Sequence, residues 1–171
     1  ILRDEPVQTK VSMKMATQSV SDNREKFREG VILDEIKGGE VFIVENEEFF
    51  TRTVAKDYQS GVLSFLASKV NASLTHQRYV DDVDEDLNPI KDWRTITENI
   101  KADAQLVTAA LKQHDPGLLE VTKWVFLVSN TIDLQKMDRL VLPSGEKCQV
   151  ESVDDIRLPG VSRVQCSDDK R

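Results

Sequence analysis

From Trp124 to Cys166 the chain is a succession of short β-branched runs separated by turn residues at near-regular intervals. That rhythm restricts the segment to antiparallel β structure. Trp124-Val-Phe-Leu-Val128 leads through a polar link containing Asp133 to Met137-Asp-Arg-Leu-Val-Leu142. Pro143-Ser-Gly145 then precedes Cys148-Gln-Val-Glu-Ser-Val153, and Asp154-Asp155 and Leu158-Pro-Gly160 precede Val161-Ser-Arg-Val-Gln-Cys166. Each run has strand length and each gap carries Pro, Gly, Asp or Ser, so the segment reads as a meander closing part of a small barrel or sandwich. Trp124 and Phe126 share one parity while Val125 and Leu127 occupy the other, which places the first strand, Trp124 included, in the core.

The front half is more varied. Val31-Ile-Leu-Asp-Glu-Ile36 and Val41-Phe-Ile-Val44 flank Gly38-Gly39, the composition of a hairpin turn. Between Thr53 and Val70 the apolar residues Val54, Tyr58, Val62, Phe65 and Leu66 recur in steps of three and four, which predicts a helix over 53–70 with Gly61 as its weak point. Its stripe packs either on the sheet or on a neighbouring subunit. Ala72, Leu74, His76, Arg78 and Val80 alternate as in an edge strand, and residues 93–111 fit a strand or, in their Ala-rich half, a helix, with Asp115-Pro-Gly117 as the following turn. Residues 1–30 show little periodicity and much Ser, Thr, Gln and charge, the composition of a flexible N-terminal arm; Met13 and Met15 within it are both candidate starts, Met15-Ala16-Thr17 having the more ordinary form. The expected fold is mainly β: a small antiparallel β-barrel or sandwich with one principal helix, in a single domain over 31–171.

The polar chemistry is sparse. With 23 Lys and Arg against 30 Asp and Glu, a formal net charge of −7 opposes duplex-phosphate binding as a primary role. Asp82, Asp84 and Asp86 occupy the first, third and fifth places of a calcium loop, but Leu87 stands where glycine must turn the chain and Trp93 where a bidentate Glu is required. The acidic run is therefore read as a solvated loop tip that offers a partner charge complementarity. The two histidines, His76 and His114, lie in no nucleophile motif, and Gly38-Gly39 lacks the Lys-Ser/Thr ending of a phosphate loop. No enzyme activity, metal or cofactor is expected. Cys148 and Cys166 fall in neighbouring strand-like runs; a disulfide between them is compatible with this spacing, and two half-buried free thiols are the commoner arrangement. No apolar run approaches the ~20 residues of a membrane span, and Arg3, Asp4 and Glu5 at the start do not resemble a secretory signal, so a soluble product made in the cytoplasm is expected.

Aromatic residues suggest contacts instead. Phe49-Phe50 follows the charged stretch Glu45-Asn-Glu-Glu48 and offers an interface anchor, or alternatively a staple between the expected helix and the sheet. The series Asp138-Arg-Leu-Val-Leu-Pro-Ser-Gly-Glu-Lys-Cys-Gln-Val-Glu-Ser-Val-Asp-Asp, completed by Pro159-Gly-Val161 before a last strand, resembles the end of tailed-phage head-closure or head-tail connector proteins. The resemblance covers the last quarter of the chain clearly and the middle by strand order. It implies a virion protein of the phage neck that assembles as a homo-oligomeric ring, six-fold or twelve-fold. Such a ring docks a portal or adaptor protein on one side and a tail or tail-terminator protein on the other. Double-stranded DNA passes through its lumen without sequence-specific binding, and no membrane is involved. Tail-completion ring proteins share this composition, and a non-viral β-barrel interaction module is the reading outside the virion. Phe49, Phe50, Asp82, Asp84 and Asp86 are the interface candidates.

Overall fold

A computed structural model describes residues 8–16, 26–83 and 89–171, with the backbone alone at 82, 83 and 89–91. Eleven strands and one helix follow in order: β1 Val11–Met15, β2 Phe27–Ile32, β3 Val41–Val44, β4 Glu47–Lys56, β5 Leu63–Lys69, β6 Ala72–Val83, β7 Pro89–Leu106, α1 Ala109–His114, β8 Trp124–Ser129, β9 Arg139–Val141, β10 Lys147–Leu158 and β11 Val161–Asp168. The first five strands make an open sheet in the order β1-β2-β5-β4-β3, and the last six close a barrel in the order β10-β11-β8-β7-β6-β9. Neighbouring strands are antiparallel throughout. The chain is mainly β, as its alternating runs require.

The meander from β8 to β11 lies where the turn chemistry places it. Gly145, at φ 84, turns β9 into β10, and Pro159-Gly160, with Gly160 at φ 82, turns β10 into β11. Asp154-Asp155 is not a gap: β10 runs through it to Leu158, with an irregularity in its pairing between Asp154 and Leu158. Leu74, Ile100, Ala102, Phe126, Val128, Leu140, Val150, Val164 and the two cysteines fill the barrel, and Trp124 packs against them with its indole Nε1 donating to Glu146 Oε1 at 2.9 Å. Both thiols are free and buried. Burial pushes the Cys148 thiol up to about 12 and that of Cys166 well above its ordinary value.

Four expectations for the remainder are corrected. Residues 53–70 form no helix; they are the end of β4, a turn and β5. The turn explains why: Asp57 accepts from the Gln59 amide and the Ser60 hydroxyl, its carbonyl receives Gly61 N–H, and Gly61 sits at φ 74. Such local bonds end a strand and leave Tyr58 90% exposed, so the helical spacing of Val54, Tyr58 and Val62 is a coincidence spanning a reversal. Among the described residues the only helix is the six-residue α1, capped by Thr108. Gly38-Gly39 joins no hairpin, because β2 pairs with β1 and β5 while β3 pairs with β4. The hairpin turn here is Glu45-Asn46, both at positive φ (51° and 67°) between the paired Val44 and Glu47, as a type I′ turn demands. Residues 11–15 and 27–30, expected in a flexible arm, belong to paired strands, and β2 is interior to its sheet; only 8–16 and 26–30 of that segment are among the described residues. Finally, β6 is flanked by β7 and β9 and is not an edge.

Sheet and barrel meet through Phe50, Leu127 and Val161, with Val70 and Leu158 packed beside them. Lys101 pairs with Glu48 at 2.8 Å and Lys26 with Asp103 across the same junction.

Candidate assembly surface

The longest elements set the shape of the surface. β9 reaches β6 only at Thr75–Gln77, and β8 reaches β7 only at residues 103–106. Beyond these points residues 78–83 and 89–94 pair with each other alone, so this hairpin projects from the barrel by about 20 Å at the rise of an extended chain. Two irregularities make its base: Leu74 faces Ile100, His76 faces Thr97 and Gln77 faces Thr95, and Asn99 takes φ 57 to absorb the extra residue of the first. Across this irregular stretch Ile100 is buried while Ile96 is 49% exposed.

A buried ionic clamp fixes the hairpin to the barrel. His76 on β6 is fully buried and its Nε2 lies 2.8 Å from Asp138 Oδ2. Two residues further, Arg78 donates to both oxygens of Asp138 at 2.9 Å, a bidentate pairing, and to the Asp133 carbonyl at 2.7 Å. The Gln135 amide adds a fourth bond to Asp138 at 2.8 Å. Burial alone would raise the Asp138 carboxyl; Arg78, the Gln135 amide and His76 outweigh it and hold the group below its usual range. His76 Nδ1 has no partner, and no described hydroxyl or thiol bonds the ring, so the pair ties strands together without presenting a base to solvent.

The adjacent residue secures the other strand. Arg139 is buried, its Nε donates to Asp169 Oδ2 at 2.5 Å, and its guanidinium carbon lies 3.6 Å from the centre of the Trp93 ring. Arg171 approaches the same ring at 4.8 Å and bonds Asp169 at 3.0 Å, while Tyr79 meets Trp93 edge-on at 5.4 Å. In the sequence Asp138-Arg139 stands as the start of the terminal strand-and-turn series, and His76 as one position of an alternation and a histidine in no nucleophile motif. The signal that would have found the clamp is a charged pair opening a strand otherwise apolar, since buried charges require partners.

Phe49 and Phe50, expected as anchors for a partner, are 2% and 0% exposed. Phe49 lies in the core of the open sheet, stacked on Phe42, and Phe50 fills the junction with the barrel. Adjacent strand residues point to opposite faces, so each serves a different layer, and neither is available to another molecule. Asp84 and Asp86 lie outside the described residues. Of Asp82 the backbone alone is described, paired with Ile90 near the end of the hairpin. Among the described residues no cluster of His, Cys, Asp and Glu has the geometry of a metal site, and no helix is long and apolar enough to cross a membrane.

Two further features complete the surface. The open sheet ends in β1 on one side and β3 on the other, and neither outer edge is paired among the described residues. One face of that sheet carries a groove of about 900 Å³ lined by Ser12, Glu29, Val31, Thr53, Ser64 and Leu66. No family model matches the sequence, and no curated protein matches it. Among solved structures the chain is similar to the solution structure of protein SF1141 from Shigella flexneri 2a, with 14% sequence identity, a TM-score of 0.47, and coverage of 60% of this chain and 95% of that one.

Proposed function

We propose that this chain is a structural subunit of the tailed-phage neck, forming a ring that joins the portal side of the head to the tail around the DNA path. The observation that supports this reading is the β6–β7 hairpin, whose outer half pairs with nothing but itself. An isolated two-stranded ribbon has little core of its own to hold it. This one is anchored at its base by the Arg78–Asp138 pair and by the stacking of Arg139 on Trp93, the expenditure expected of an element that must reach a neighbour or a lumen. The sequence at the far end of β6 and just past it is the run Asp81-Asp-Val-Asp-Glu-Asp86, and the chain as a whole is at −7. An acidic surface toward passing DNA repels phosphates and prevents adhesion.

A ring at the tail end, as in tail completion, rests on the same features. The groove favours a second reading, a β-rich module that binds an extended peptide. The native mass of the purified chain across a concentration series, with negative-stain images of the same sample, separates them. Rings with an axial hole, alone or on added portal, support the neck or tail reading. A strict monomer that binds neither portal nor tail proteins overturns it.

A further inference from the structure

We infer that the subunits of this ring join by strand addition, the outer edge of β3 in one copy pairing with the outer edge of β1 in the next, so that the open sheets run continuously from copy to copy. The inference deepens the proposed ring and rests on it. Four antiparallel steps separate β1 from β3, so the two edge strands point the same way and the joint is parallel. A contact between two different edges of one sheet is head-to-tail, and head-to-tail contacts form a ring when the rotation from copy to copy closes and an open filament when it does not.

The faces of the two edges match. Val11 and Met13 of β1 and Phe42 and Val44 of β3 all pack against the same sheet core, and all are only partly buried. Set side by side in one parallel register, Val11 adjoins Phe42 and Met13 adjoins Val44, continuing the apolar face across the joint. On the opposite face Ser12 adjoins Ile43, which is 68% exposed, and past the end of β3 Lys14, already paired with Glu29 at 3.1 Å, comes beside Glu45 in the β3–β4 turn. At the other end of the joint Lys10 falls one position from Glu40. Exposed edges that must remain single are ordinarily guarded by inward charge, proline or bulges. β3 reads Val-Phe-Ile-Val, with none of these. Two copies of β3 meeting each other would instead bring Glu40 and Glu45 of one copy toward those of the other, a like-charge contact.

Cysteines placed at Ser12→Cys and Ile43→Cys test the joint, because adjacent positions on paired strands lie within disulfide reach and the native Cys148 and Cys166 are buried. Under mild oxidation the double variant is expected to give a ladder of covalent oligomers ending at the ring size. A mixture of the two single variants gives a 12–43 linked dimer. A charge reversal, Glu45→Lys, is expected to abolish rings, and adding Lys14→Glu to restore them. Wild-type rings without 12–43 links, or links only between two copies of Ile43→Cys, overturn the joint and leave the ring standing. A wild-type chain that stays monomeric at every concentration overturns both.

Discussion

Gly39 and Gly160 lie backbone to backbone, so close that a Cβ built on Gly39 would stand 2.1 Å from the Gly160 carbonyl oxygen. Both are in the left-handed region, at φ 83 and 82. Their neighbours take part as well: a Cβ on Gly38 would stand 2.1 Å from the Pro159 carbonyl. Two segments far apart in sequence thus meet main chain to main chain, beside the side-chain contacts that join sheet and barrel. An alanine at position 39 meets both a disfavoured φ and a backbone atom that cannot swing aside. Gly39→Ala is expected to cost about 2–4 kcal/mol, the sum of left-handed strain and overpacking. Gly145→Ala has open space around its Cβ and incurs only the φ penalty, about 1–2 kcal/mol. Denaturant unfolding of the two variants checks the difference; equal losses would show that the contact contributes nothing.

How far the sequence disclosed this arrangement depended on the range of the interaction. β8 to β11 were legible because each turn is built from residues adjacent to it. Leu158-Pro-Gly160 announces its own reversal. Gly38-Gly39 is equally a turn signal, yet its glycines answer to carbonyls more than a hundred residues away, and a local reading assigned them a hairpin they do not make. The interval 53–70 failed differently. A strand, a tight turn and a strand put apolar side chains at intervals that imitate a helix, and only the bonds to Asp57 decide between them. The clamp around Asp138 was invisible for a related reason, since His76, Arg78 and Asp138 converge only once the barrel closes.

That clamp makes stability depend on acid. The folded Asp138 carboxyl binds its proton less readily than the unfolded one, so its contribution is present above a pH of about 4 and is lost as pH falls through the depressed folded value. Asp169, held down against burial by Arg139 and Arg171, acts in the same direction. Asp138→Asn removes the charge that faces Arg78 and is expected to destabilise by about 3 kcal/mol near neutrality. It should also flatten the loss of stability below pH 4. Thermal melts of both proteins between pH 3 and 7 (bounds of roughly the carboxylate range) check this, and an unchanged acid slope in the variant would assign the acid sensitivity elsewhere.

The barrel thiols give a simpler expectation. Cys148 and Cys166 are fully enclosed, and burial disfavours the thiolate that alkylating reagents require. Iodoacetamide at mildly alkaline pH is expected to label neither in the folded chain and both after denaturation. Labelling of either under native conditions at the rate of a free thiol would mean that the barrel opens there.

Trp93 reports on the hairpin. Its ring is covered by the Arg139 guanidinium at 3.6 Å, and that guanidinium is simultaneously bonded to Asp169. A planar, delocalised cation can stack and donate at once, whereas an ammonium is a compact point charge that cannot reproduce both contacts. Arg139→Lys is therefore expected to cost about 1–2 kcal/mol, at the upper end of a partly desolvated cation–π contact. In a Trp124→Phe background, where Trp93 is the sole indole, its emission should shift to the red. Because Tyr79 and Trp93 pair across the two strands, loosening the ring should also speed amide exchange in 78–83 and 89–94 while leaving the exchange of β8 and β11 unchanged. Fluorescence and hydrogen exchange on the same variant read the two effects independently. If the emission shifts and the hairpin amides do not, Arg139 covers the ring without holding the hairpin, and the anchoring falls to His76, Arg78 and Asp138 alone.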